Sequence, residues 1–184
     1  IVILETKVAL MEYKTLSRSD SEFESYLLGT FSKNKRAIPT QTLNVNSPNE
    51  TVTFRIVDIE DIRYPGKLEF FLKAFRVHHL LMVIFPLLLV LSKNTTDRVL
   101  ADSGSVLLST LGIVFAFVAA GFRNDYMDHI RGMDRICPEA GSRVIQLGWL
   151  TASEARKYAY FFLGLSLICA IPLVYSIPAL GIVV

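Results

Sequence analysis

Asn124, Asp125, Asp128 and Asp134 fall within eleven positions, in the run Asn124-Asp125-Tyr126-Met127-Asp128-His129-Ile130-Arg131-Gly132-Met133-Asp134. They follow twenty residues without a charge, Ser103 to Phe122. Acid at the mouth of an apolar helix is costly unless a cation sits beside it. If the helix continues through Asp128, then Asp125 and Asp128 are three apart and Asn124 and Asp128 four apart, which puts all three on one face. Gly132 then loosens the helix and lets Asp134 turn back toward that face. Carboxylate and amide oxygens so spaced suit Mg²⁺, a hard cation that takes one or two protein carboxylates and completes its shell with water and substrate phosphates. The expected chemistry is the binding of a phosphorylated substrate rather than a closed metal cage. Arg143, in a loop with Gly141 and Gly148, is the best-placed contact for phosphate oxygens. Arg131 and Arg135 either share that role or anchor the topology, and His129 either assists or is solvated. Spacing alone leaves open an ordinary solvated loop whose charges only fix topology.

The elements that position this cluster read from the apolar periodicity. Residues 77–184 carry almost all of the long apolar runs, and residues 1–66 read as a separate soluble segment. Val77 to Ser92, with His78 and His79 at its entry and Pro86 within, is a first span. Ser103 to Phe122 is a second, and at ~1.5 Å per residue it crosses a hydrocarbon core of ~30 Å. Tyr158 to Val184 is longer than one span, so a third helix ends near residue 176 and a fourth opens after it. Just before the first span, Leu68, Phe71, Leu72 and Phe75 make an apolar stripe flanked by Lys67, Lys73 and Arg76. That stripe reads equally as an interfacial helix or as the first turns of the span. In the soluble segment, residues 1–13 suit a buried strand, and Ser19 with Glu22 resembles a capping box for a helix over residues 20–31. Residues 32–50 are polar and turn-rich. Val52, Phe54 and Ile56 alternate with polar residues as in a half-exposed strand over 51–58. No motif in residues 1–60 points to a function. The fold class is therefore mainly α: a partial multi-pass transmembrane bundle of three helices and the start of a fourth, behind a small α+β soluble segment.

Composition limits what such a chain does. Of its 184 residues 52% are hydrophobic, a mild excess that the membrane half explains by itself. The basic residues form no stripe interleaved with aromatics, which argues against a nucleic-acid partner. Cys137 and Cys169 have neither framework nor metal-ligand spacing and read as free thiols. Lys and Arg are rich before the first span (Arg63, Lys67, Lys73, Arg76), poor in the next link (Lys93, Arg98) and rich again around the acidic run. By the positive-inside rule the acidic motif and the N-terminal segment face the cytoplasm. Trp149, Tyr158, Tyr160, Phe161 and Phe162 suit an interfacial aromatic belt. The chain opens on Ile1 and stops at Val184 inside an apolar run, so both ends read as cuts in a longer protein.

The run Asn124-Asp125 … Asp128 … Gly132-Met133-Asp134, directly after an apolar helix, resembles the first aspartate-rich motif of the UbiA superfamily of intramembrane prenyltransferases. It is closer to the dihydroxynaphthoate, menaquinone-pathway branch than to the hydroxybenzoate branch. Gly141-Ser142-Arg143-Val144-Ile145-Gln146-Leu147-Gly148 is similar to the loop these enzymes carry before their third helix, and Arg76 ahead of a span with Pro86 is similar to their first helix. The resemblance covers residues 68–184 and implies a Mg²⁺-dependent enzyme at the lipid bilayer. In such enzymes a polyprenyl diphosphate loses its diphosphate, and the allylic cation left behind alkylates an aromatic acceptor. Carried over, it makes Asp125 and Asp128 the catalytic Mg²⁺ ligands, with Asn124, Asp134 and Arg143 contacting metal or diphosphate. Two departures stand out: Gly121 occupies a place where the family often has Asn, and a second aspartate-rich motif on a later helix is missing from these 184 residues. The piece by itself is thus expected to be inactive. A CDP-alcohol phosphotransferase is a weaker alternative, because its Asp-Gly-x-x-Ala-Arg opening is absent. A non-catalytic membrane protein whose acidic loop binds a cation or partner is the other.

Overall fold

The computed structural model describes residues 12–96, 103–137 and 141–176. Thr51–Asp58 (β3) is the central strand of a three-stranded antiparallel sheet, flanked by Glu12–Ser17 (β1) and Lys35–Leu43 (β2). The alternation expected of β3 is present, with Val52, Phe54 and Ile56 buried on one face. Val52 and Phe54 close over Phe23 and Leu27 of the short helix Phe23–Leu28 (α1) and over Leu16 of β1. The capping box expected for α1 is not formed. Ser19 bonds the Ser17 hydroxyl instead, Glu22 pairs with Lys14, and no side chain caps the helix. Strand β2 lies inside the stretch whose composition is turn-rich. Pro39 breaks its pattern and shifts its register, which an edge strand tolerates because the missing N–H is not needed by a neighbour.

Lys67–Ala74 (α2) and Val77–Thr96 (α3) are distinct helices that meet at a 60° bend. Arg76 occupies the junction at φ +49°, in the left-handed region that non-glycine residues seldom adopt. The basic, amphipathic stripe thus belongs to a separate helix and not to the first turns of α3. Ser103–Arg131 (α4) runs nine residues past its apolar stretch, as the expected shared face of Asn124, Asp125 and Asp128 requires. Among the described residues, one helix, Gly104–Arg131, is long and apolar enough to cross a membrane, and α2 with α3 adds a second if the bent pair is one span. Only 17% of the apolar window of α4 is buried inside the protein, so its side chains face outward as those of a soluble core helix do not.

Gly132, at φ +75°, ends α4, and the single turn Met133–Ile136 (α5) departs from it. Ala152–Ser176 (α6) then returns along α4. Ala152, Ala155 and Ala159 lie buried in the core that α6 shares with Phe122 and Val118 of α4, because small side chains let two helices approach. Ser166 Oγ donates to the Gly112 carbonyl at 2.8 Å across the same contact. Trp149 is buried in that core and not in a belt: Phe70 lies 6.4 Å from its ring, and its Nε1 donates to the Arg63 carbonyl at 3.2 Å. Phe162 packs likewise against Phe75 and Phe122, while Tyr158, Tyr160 and Phe161 remain exposed. The fourth helix and most of the expected strand over residues 1–13 lie outside the described residues.

Candidate functional site

The acidic residues converge where α4 ends. Asp125 is 5% exposed; its Oδ1 pairs with Arg76 Nη2, and its Oδ2 accepts from Ser142 Oγ at 2.6 Å. The Ser142 backbone N–H also points at Oδ1, 3.4 Å away. Asp134, 7% exposed, is brought back by the turn at Gly132, as the sequence suggests, and accepts from Gln146 Nε2. Gly141 lies over both groups. A Cβ there would stand 3.3 Å from Asp125 Oδ1, 3.5 Å from Arg76 Nη2 and 4.0 Å from Asp134 Oδ1. Its φ of +78° adds a second reason for glycine at this position. Asp128 is half-buried on the same helix face as Asp125.

The electrostatics follow from this convergence. Burial, then the negative charges of Asp128 and Asp125, push the Asp134 carboxyl up to about 7, against the opposing pull of Arg135 and the Gln146 hydrogen bond. Asp125 and Asp134 thus converge beneath Gly141 with Arg76 paired to Asp125, and the charge of Asp128 acts on Asp134 from the same helix face. Arg76 Nε is buried and without a hydrogen-bond partner among the described residues. The same residue lines an apolar groove of about 260 Å³ between α3 and α4, together with His79, Phe117, Gly121 and Asn124. The exposed Asn124 amide at its open end is suited to a polar headgroup, and the apolar length beyond it to a hydrocarbon tail.

The remaining residues fall in different places. Asn124 is exposed at the groove, one helical turn from Asp128. Arg143 is exposed at φ +62°, and no contact among the described residues ties its side chain to Asp125, Asp128 or Asp134. His129 is not solvated: it is 2% exposed, with Nε2 3.0 Å from the Leu27 carbonyl of α1. Arg135 is held by Glu50, whereas Arg131 is exposed. Arg76, Ser142 and Gln146 are the partners that sequence reasoning left off the site. The available signal was Arg76 itself, a cation at the entry of an apolar run that needs a carboxylate beside it.

Among the described residues, no group of three or more His, Cys, Asp or Glu side chains is placed so that it could hold a metal ion. Cys137 and Cys169 are free thiols. The helices and the acidic turn define a mainly α-helical protein with a small antiparallel sheet and a candidate membrane-spanning helix. No family model, curated protein or solved structure matches the chain.

Proposed function

We propose that the chain carries the first diphosphate-binding motif of an intramembrane prenyltransferase, similar to the UbiA superfamily. The reaction is Mg²⁺-dependent transfer of a polyprenyl group from a polyprenyl diphosphate to an aromatic acceptor of quinone or related lipid biosynthesis. The observation that carries this reading is the meeting of Asp125 and Asp134 with Arg76 beneath Gly141, with Asp128 on the same helix face and an apolar groove lined by Arg76 and Asn124 alongside. In it the spans form part of a multi-pass bundle, with the acidic turn and the N-terminal segment on the cytoplasmic side.

The residues present fit a Mg²⁺–diphosphate group. Burial first, and then the negative charges of Asp128 and Asp125, raise the Asp134 carboxyl. An oxygen-only donor set that stops short of a cage is what Mg²⁺ takes when phosphate oxygens complete its shell. Asp128 and Asp125 would hold the ion, with Asp125 also keeping its hydrogen bond from Ser142. Asn124 and Asp134 would support ion or diphosphate, and the exposed Arg143 would donate to phosphate oxygens. When bound, Mg²⁺ supplies neutralisation of the leaving diphosphate. The groove residues Phe117 and Met82 keep water from the prenyl chain.

Asp128→Asn tests the assignment, since it keeps the side-chain shape and removes the charge. In the intact membrane protein it lowers Mg²⁺-dependent prenyl transfer at least ~100-fold, a loss of about 2.7 kcal/mol of transition-state stabilisation. The variant still fractionates with membranes. Wild-type turnover in Asp128→Asn is incompatible with the assignment.

A further inference from the structure

Glu50 is 1% exposed, a rare burial for a carboxylate, and its principal partner lies 85 residues further along the chain. Its Oε1 accepts from Arg135 Nη2 at 2.6 Å and its Oε2 from Arg18 Nη1 at 3.1 Å. The backbone pins it as well: Glu50 N donates to the Ser47 carbonyl at 3.1 Å, and its own carbonyl accepts from Arg18 N at 2.8 Å. Arg135, thus oriented, donates from Nη1 to the His129 carbonyl at 3.1 Å, in the last turn of α4, where the same carbonyl also accepts from Gly132 N at 3.2 Å. A second latch lies alongside, His129 Nε2 on the Leu27 carbonyl. Val45 closes over the turn itself, its Cγ1 2.6 Å from where a Cβ on Gly132 would be. An apolar pair of similar volume would join the two surfaces without desolvating charge. What the ion pair adds is a fixed direction for Arg135, the residue that follows Asp134.

We infer that Glu50 is a positioning residue: through Arg135 it locks the α4–α5 turn so that Asp134 faces Asp125 and Asp128. The sheet and α1 thereby act as a clamp on the acidic site. The functional half of this inference rests on the diphosphate reading, and the clamp itself does not.

The test uses the intact protein in lipid nanodiscs, as wild type, Glu50→Gln and Glu50→Asp. Two quantities are measured: amide hydrogen exchange, and the affinity for inorganic pyrophosphate in the presence of Mg²⁺. In Glu50→Gln the amides of Arg135, Ile136 and Cys137, which donate to the Gly132 and Met133 carbonyls, exchange at least ~10-fold faster. Amides at Phe54 and Phe122 stay within about 2-fold. Pyrophosphate binds about 10-fold more weakly, and Glu50→Asp recovers part of both effects. Unchanged exchange at residues 135–137 overturns the clamp. Acceleration shared equally by Phe54 also overturns it, because Glu50 then only holds its own module together. A loosened turn with wild-type pyrophosphate affinity overturns the positioning role. If wild type binds no pyrophosphate, the diphosphate reading falls and the exchange pattern alone decides the clamp.

Discussion

At the scale of single residues the site is a set of carboxylates in unequal surroundings. Asp125 is buried but matched by Arg76 and Ser142, whereas Asp134 is buried beside two like charges and ionises only near pH 7. The linkage follows from the sign of that shift. Its folded pKa lies above the ordinary carboxylate value of 3.8, so between about pH 4 and pH 7 the folded state binds a proton that the unfolded state has released. Stability contributed by this group is complete below that window and is lost as pH rises through it. Asp134→Asn removes this contribution. The stability of wild type relative to Asp134→Asn, followed as detergent-solubilised melting temperature, should fall from pH 4 to pH 7 and level off above. A flat difference would mean that Asp134 carries no raised pKa. The three aspartates were legible because i, i+3 spacing and a following glycine describe one helix face and one return turn within a short window. Arg76, Ser142 and Gln146 were not, because their pairing with Asp125 and Asp134 depends on how α2, α3 and the loop before α6 fold back on α4.

At the scale of elements the same division between local and long-range information recurs. Thr151 and Glu154 form a reciprocal cap at the start of α6: Glu154 Oε2 accepts from Thr151 N at 2.7 Å, and Thr151 Oγ1 accepts from Glu154 N at 3.1 Å. The hydroxyl satisfies a helix donor, while the Thr151 methyl packs beneath Gly29 of the N-terminal segment. Thr151→Val keeps the methyl and removes only the cap. It should cost about 1 kcal/mol, read as a lowered melting temperature against Thr151→Ser, and equal temperatures for the two would sink the capping role. This Thr-x-x-Glu pattern and the similar Ser19-to-Glu22 pattern are alike on paper, and only the former caps a helix. Ahead of α1, Lys14 draws Glu22 away, whereas Glu154 turns back to Thr151 and keeps only a weak 3.6 Å pairing with Arg36. Strand β3 was legible from its alternation, since one face is buried and the other is not. Strand β2 was hidden by Pro39 and by the polar residues an edge strand exposes. Trp149 is apolar with one donor, which suits an interface or a core equally. The carbonyl of Arg63, 86 residues earlier, decides for the core.

At the scale of the whole molecule, the contacts between the N-terminal segment and the acidic turn constrain topology. Glu50 with Arg135, Leu27 with His129 and Val45 against Gly132 leave no room for lipid between them, so both must lie on one side of any membrane that α4 crosses. Which side is a matter of charge: Arg63, Lys67 and Lys73 lie before α3, and Arg123, Arg131, Arg143 and Arg156 follow the apolar run of α4. The link between α3 and α4 has only Lys93 and Arg98 nearby. On the positive-inside rule, the proposed reading puts the acidic turn on the cytoplasmic side. Cys137 is an exposed native thiol beside the turn, and the buried Cys169 serves as an internal control. A membrane-impermeant maleimide should therefore label Cys137 and the variant Ser19→Cys only in vesicles that expose the cytoplasmic face. Asn94→Cys, in a background where Cys137 is Ser, should be labelled only from the opposite face. Labelling of positions 19 and 137 from opposite faces would break the contact between the segment and the turn. Labelling of 94 and 137 from the same face would instead show that α4 does not cross, and the acidic cluster would then have to be read as a site on a surface-bound protein.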